Sequence, residues 1–174
     1  MDTESLRTLQ APIKERYRTE PGAALITLRA SGEVNDPDGL SCSVETGRAL
    51  VKAGLHPATG GDGTLACSGD MLLQALVACA GVTLRSVATS KNIQLRGGTI
   101  HAEGDLDFRG TLGVDREAPV GFKNIRLRFD LDADATPEEV ASLQKLTERY
   151  CVVYQTLASG VAPQIEFRVS SHAR

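Results

Sequence analysis

Gly69-Asp70-Met71-Leu72-Leu73-Gln74-Ala75-Leu76-Val77-Ala78-Cys79-Ala80-Gly81-Val82-Thr83-Leu84-Arg85-Ser86-Val87-Ala88-Thr89-Ser90-Lys91 is the most apolar stretch of the chain. Through its first two-thirds, apolar residues occupy nearly every face of a 3.6-residue turn. A helix of that kind belongs in the middle of a protein, covered on all sides. Asp70 falls in the first turn, where a carboxylate complements the helix dipole. The chargeless part, Met71 to Leu84, covers 14 residues, short of the roughly 20 needed to cross a bilayer.

On the N-terminal side, Leu6, Leu9, Ile13 and Tyr17 recur at helical spacing within Glu4 to Arg18. Glu20-Pro21-Gly22 ends that helix. Residues 1–22 therefore read as a helical extension ahead of one domain over 23–174. Ala23 to Ala30 and Leu40 to Thr46 read as strands, with the turn cluster Asn35-Asp36-Pro37-Asp38-Gly39 between them. Gly54 to Ala66 is glycine-rich and irregular. Its Gly60-Gly61-Asp62-Gly63 run lacks a P-loop lysine and dinucleotide spacing, so it reads as a turn.

On the C-terminal side, Ile93 to Asp107 and Lys123 to Asp132 read as strands. In the second, Ile125, Leu127, Phe129 and Leu131 alternate with Arg126, Arg128 and Asp130, the pattern of a strand with one wet face. Arg109 to Gly113 and Ala118 to Gly121 are turns. Thr136-Pro137-Glu138-Glu139 opens a helix with a capping threonine, a proline at the first helical position and a capping-box glutamate. Val140, Leu143, Thr147, Cys151 and Tyr154 follow at intervals of 3, 4, 4 and 3, which puts Cys151 on the core-facing stripe if the helix runs that far. Gln164 to Val169 makes a last strand. The fold class is α+β.

A net charge of -3, scattered basic residues, 4% aromatics and no tryptophan argue against nucleic-acid binding and base stacking. The acidic N-terminus Met1-Asp2-Thr3-Glu4-Ser5 has no apolar signal core, so a cytoplasmic protein without membrane association is expected. Four cysteines (Cys42, Cys67, Cys79, Cys151) at spacings of 25, 12 and 72 form no C-x-x-C pair and no metal clip. In a reducing compartment they are not a structural disulfide framework. His56, His101 and His172 are too scattered for a metal cluster. On apolar helix faces Cys79 and Cys151 read first as packing residues, with reactive thiols as the alternative. Cys42 reads as core packing and Cys67 as a loop cysteine.

Gly60-Gly61-Asp62-Gly63 followed by Asp70 to Cys79 resembles the OsmC/Ohr family, the osmotically inducible and organic hydroperoxide resistance proteins. Gly104-Asp105-Leu106-Asp107-Phe108-Arg109-Gly110, Val120-Gly121-Phe122-Lys123-Asn124-Ile125 and Glu148-Arg149-Tyr150-Cys151 are similar to the family's later segments, in the family's order. The resemblance spans Ala23 to Val169. It implies an intertwined homodimer in which antiparallel sheets wrap long central helices. It also implies a chemistry. The Cys79 thiolate attacks an organic hydroperoxide and becomes a sulfenic acid, Cys151 condenses with it to a disulfide, and an external dithiol of lipoyl type restores the pair with no bound cofactor.

The chain departs from the family pattern in three places. The loop Ser31 to Gly39 has no arginine to hold the thiolate, which leaves Arg48 as the nearest replacement. Cys67-Ser68-Gly69-Asp70 replaces the Ser-Pro or Asn-Pro step before a glutamate, so Asp70 takes the acidic position. Val152 stands where a proline is common. Two functions follow. One is a peroxidase acting on a small apolar hydroperoxide through Cys79 and Cys151, supported by Arg48 and Asp70. The other is a non-catalytic protein that binds a lipid-like or aromatic molecule in a cavity at the dimer interface.

Overall fold

The computed structural model describes residues 2–5, 8, 11–12, 19, 32–33, 41–45, 50–112 and 115–168. In the N-terminal segment, residues 3–5, 8, 11, 12 and 19 are helical, and the Thr3 hydroxyl donates to the Thr89 carbonyl at 2.7 Å. Leu6, Leu9, Ile13 and Tyr17, the strand expected over 23–30, and Arg48 lie outside the described residues.

Six strands are described: β1 (Gly32–Glu33), β2 (Ser41–Glu45), β3 (Leu50–Gly54), β4 (Ala66–Cys67), β5 (Gln94–Asp105) and β6 (Asn124–Asp134). The first four form one sheet in the order β1-β2-β3-β4, and β5 and β6 form a separate antiparallel pair. The expectation of purely antiparallel sheets needs one correction, because β4 joins β3 in parallel, with Ala53 opposite Ala66 and Gly54 opposite Cys67. The irregular glycine-rich stretch allows this by carrying the chain back before it pairs. Within it, a 3₁₀ turn over Pro57–Thr59 ends at left-handed Gly60. The Asp62 carboxylate then accepts from the Thr64 amide and hydroxyl.

The apolar segment forms α1 (Ser68–Ser90), with Asp70 in its first turn. By length and composition alone α1 is apolar enough to cross a membrane. It packs instead against β5 and two C-terminal helices, α3 (Pro137–Tyr150) and α4 (Val152–Ser159). Only one face is covered within the protomer. Leu76, Ala80, Leu84, Val87 and Ala88 are buried, whereas Leu72 and Val82 are exposed. Gly81 permits the approach to β5, since a Cβ there would meet Ile100 Cδ1 at 3.1 Å.

β6 alternates half-buried and exposed along its whole length, as its sequence requires. Its inner residues Ile125, Leu127, Phe129 and Leu131 pack against α1. Its outer residues make cross-strand ion pairs, Arg126 with Glu103 and Asp105 among them. Between β5 and β6 a four-residue helix, α2 (Phe108–Thr111), takes the place of the expected turn. Asp107 starts it by accepting from the Arg109 amide at 3.2 Å.

α3 begins with the full capping box. The Glu139 amide donates to Thr136 Oγ1 at 3.3 Å, and the Thr136 amide donates to Glu139 Oε2 at 2.8 Å. The last expected strand is corrected, because residues 161–168 have no regular structure. Ile165 and Phe167 are 78% and 89% exposed. An extended segment becomes a strand only where another backbone meets its amides and carbonyls, and the described protomer offers none there.

Candidate functional site

Cys79 lies at the midpoint of α1, one residue before buried Ala80 and three before exposed Val82. It is half-buried, on the border between the covered and the bare face of the helix. Cys151 is 1% exposed and packs in one apolar cluster with Leu76 and Ala80. Cys79, Val153, Tyr154 and Leu157 line that cluster. Two thiols 72 residues apart in sequence are thus brought together, and both are free.

Cys151 does not continue α3. Its backbone is extended (φ -73°, ψ 107°), so it closes α3 and opens α4. Its amide donates to the Thr147 carbonyl at 2.9 Å, and its carbonyl accepts from the Gln155 amide at 2.9 Å. Gln155 Nε2 braces the break by donating to the Glu148 carbonyl at 2.7 Å. No glycine or proline marks the break, so the spacing of apolar residues reads straight through it. The consequence is chemical. The first amides of a helix have no partner inside it and carry its positive end. Here the amides of Val152, Val153 and Tyr154 favour the thiolate forms of the two sulfurs, although Cys151 makes no side-chain cap hydrogen bond to them.

Burial alone pushes the Cys79 thiol up. The Val153 amide, the Cys151 side chain, the Val152 amide and the Thr83 hydroxyl favour the thiolate by hydrogen bonding and together outweigh burial, so Cys79 lies below the ordinary thiol range. Burial also pushes Cys151 up. The neighbouring Cys79 sulfur adds to this rise against the Tyr154 and Val153 amides, and Cys151 stays above the ordinary range. One site therefore holds two thiols shifted in opposite directions, Cys79 down and Cys151 up. Sequence spacing missed Thr83 and the α4 amides. Thr83, one turn beyond Cys79, was legible as a helical neighbour, whereas the amides depend on the break.

The other sequence candidates lie elsewhere. Asp70 is exposed, and the nine residues separating it from Cys79 put it half a turn round and about 13 Å along the helix. Cys67 precedes α1, about 18 Å of helix from Cys79. The Cys42 backbone pairs with Ala53, and its side chain lies outside those described. His56 accepts from the Ala58 amide at 3.1 Å and stacks on Phe108 with ring centroids 5.0 Å apart, a structural position. Among the described residues no group of His, Cys, Asp or Glu is arranged to hold a metal.

On the side away from Val82, Cys151 lines a cavity of about 350 Å³ between α1, β6 and α3. Cys79 does not line it. The wall is largely apolar. Thr147, 4% exposed, also lines it, and its Oγ1 is the one buried side-chain oxygen or nitrogen without a partner among the described residues.

No curated protein matches this sequence. Among solved structures, an OsmC-like protein from Mycoplasma pneumoniae superposes with a TM-score of 0.62 at 16% identity, over 76% of this chain and 88% of that one. An organic hydroperoxide resistance protein from Legionella pneumophila gives 0.53 at 18% identity, over 77% and 90%. The organic hydroperoxide resistance protein OhrB of Bacillus subtilis gives 0.50 at 20% identity, over 76% and 91%. These likenesses establish a shared fold. The model of the family described as OsmC-like protein matches residues 61–166, more than half of the chain, and the chain belongs to that family.

Proposed function

We propose that this protein is a thiol peroxidase that reduces organic hydroperoxides in oxidative-stress defence, with Cys79 as the attacking thiol and Cys151 as the resolving thiol. The observation that carries this reading is the packing of half-buried Cys79 against a second, buried thiol at the N-terminus of α4. Peroxide attack needs a thiolate, and the amides of that helix end supply part of what a loop arginine would. Arg48 remains a second source of positive charge.

In the first step the Cys79 thiolate attacks the outer peroxide oxygen. The O–O bond breaks, the alkoxide takes a proton and leaves as an alcohol, and Cys79 becomes a sulfenic acid. In the second step Cys151 sulfur attacks Cys79 sulfur. The disulfide forms, and hydroxide leaves with the Cys151 proton as water. An external dithiol supplies the two electrons that restore the pair.

A homodimer is part of this proposal. Leu72 and Val82 leave the outer face of α1 bare beside Cys79, and Ile165 and Phe167 are similarly bare. A second copy laid on that face covers the open side of Cys79 and forms an apolar wall for the organic part of the peroxide. Asp70, at the start of the helix, then serves the partner's site or only the helix dipole. We assign the protein to the cytoplasm, where its thiols stay reduced.

The test is thiol titration before and after one equivalent of cumene hydroperoxide, with disulfide mapping by mass spectrometry. Loss of two thiols and a Cys79–Cys151 crosslink is the expected result. Unchanged thiols would favour the second reading, a non-catalytic binder of a lipid-like or aromatic molecule, for which the apolar cavity beside Cys151 is the supporting observation.

A further inference from the structure

We propose that the cavity beside Cys151 is the access route for the reductant, a dithiol on an apolar arm, which attacks the Cys151 sulfur and releases Cys79. This inference rests on the thiol-pair reading above and adds the direction of the reducing step.

Three observations converge. First, the two sulfurs face different spaces. Cys79 borders the bare face of α1, whereas Cys151 lines the cavity with Ala80, Leu127, Phe129, Leu143 and Thr147. A nucleophile in that cavity meets Cys151 and not Cys79. Second, the cavity wall is mostly apolar, with Arg128, Gln144, Glu148 and Tyr154 also on it, and it carries a buried, unpartnered hydroxyl on Thr147. A buried hydroxyl without a partner is costly. A ligand with an apolar body and one hydrogen-bonding group relieves that cost, whereas a wholly apolar one does not. Third, disulfide exchange runs fastest when the departing sulfur is the more stable thiolate. The α4 amides hold Cys79 in that role, and Cys151 is the poorer leaving group.

The chemistry balances. One thiol of the reductant loses its proton to solvent and attacks Cys151 Sγ. The Cys79–Cys151 bond breaks and Cys79 departs as thiolate, leaving a mixed disulfide on Cys151. The second thiol of the same molecule loses its proton and attacks its own mixed-disulfide sulfur. Cys151 departs and takes up a proton, and the reductant leaves as a cyclic disulfide, oxidised by two electrons. A monothiol would stall here, because Cys79 lies ready to displace it and reform the protein disulfide. The second, tethered thiol wins by proximity.

The oxidised pair can be made with diamide, so the test does not depend on peroxidase activity. Excess 6-mercaptohexanol added to the oxidised protein, followed by acid quench and mass mapping, is expected to place the adduct on Cys151 with Cys79 free. An adduct on Cys79 would overturn the proposal. Reduction by dihydrolipoamide is then compared with reduction by a charged phosphine, tris(carboxyethyl)phosphine. Thr147→Val is expected to slow the dithiol roughly threefold to tenfold, the size of one hydrogen bond, relative to the phosphine. Val140→Trp, which fills the cavity from an exposed position on its wall, is expected to slow it more. Equal ratios in all three proteins would sink the assignment, as would failure of diamide to form the Cys79–Cys151 bond. Failure of cumene hydroperoxide to form a bond that diamide does form counts against the peroxidase reading alone.

Discussion

Cys79 and Cys151 draw on the same helix end, and it acts on them unequally. The amides of Val153 and Val152 lower Cys79 past the effect of its burial, while burial and the Cys79 sulfur keep Cys151 high. The asymmetry arises because a thiolate on one sulfur both accepts the hydrogen bond of the other and repels its ionisation. The two thiols are therefore shifted in opposite directions, Cys79 down and Cys151 up.

The first prediction concerns titration. Alkylation of Cys79 should begin at lower pH than that of a free thiol, near 8.5, and alkylation of Cys151 at higher pH. Cys151→Ala should raise the Cys79 midpoint, since a hydrogen bond that favours the thiolate is lost. The linkage signs are opposite. The Cys79 contribution to stability is complete above the free-thiol pKa and is lost as pH falls through its lower folded value. The Cys151 contribution is complete below the free-thiol pKa and is lost as pH rises through its higher one. Mass-resolved alkylation from pH 5 to 10 reads both thiols, and identical midpoints would contradict the asymmetry.

A second prediction addresses α3, which carries Thr147 and ends at Cys151. Thr136→Ala removes the capping box that starts it. The expected loss is about 1 kcal/mol of unfolding free energy, measured by urea denaturation. Because the cap lies at the far end of α3, the Cys79 alkylation profile should not move.

The exposed face of the β5–β6 pair gives a third. Arg126 hydrogen-bonds both Asp105 oxygens and holds that carboxyl at about 2. Arg126→Ala should return Asp105 to the ordinary carboxylate range in a carbon-13 NMR titration. The stabilising effect of the pair is present above the unfolded carboxylate pKa and is lost as pH falls through about 2. Both groups are solvent-exposed, so the change in melting temperature at neutral pH should be small.

The fourth concerns assembly. Val82 is 70% exposed on the bare face of α1, one turn from Cys79. If a second copy covers that face, wild type sediments as a dimer and Val82→Lys as a monomer at micromolar concentration. A monomeric wild type would remove the dimer, and with it the wall proposed for the peroxide pocket.

Local rules made much of the fold legible in the sequence. The apolar segment predicted over 69–91 is a helix over Ser68–Ser90. The alternation in Ile125 to Leu131 is a strand with one wet face, and the Thr136 to Glu139 cap starts a helix at Pro137. Each depends on neighbours a few residues apart, through helical or strand periodicity or a side chain reaching its own backbone.

What tertiary structure decided is of another kind. The parallel β3–β4 pairing and the unpaired 161–168 segment depend on which distant backbone is within reach. The break at Cys151 has no glycine or proline to announce it, and its spacing reads as an unbroken helix. It is held by the Gln155–Glu148 brace and by the packing of Cys151, 72 residues away along the chain from Cys79, against α1. The sequence by itself determined that Cys79 lies on an apolar helix, and its resemblance to a family supplied the partner. Only packing determined that Cys79 is the lowered thiol, because burial, a helix end and a second sulfur act on it through space, over distances unrelated to separation along the chain.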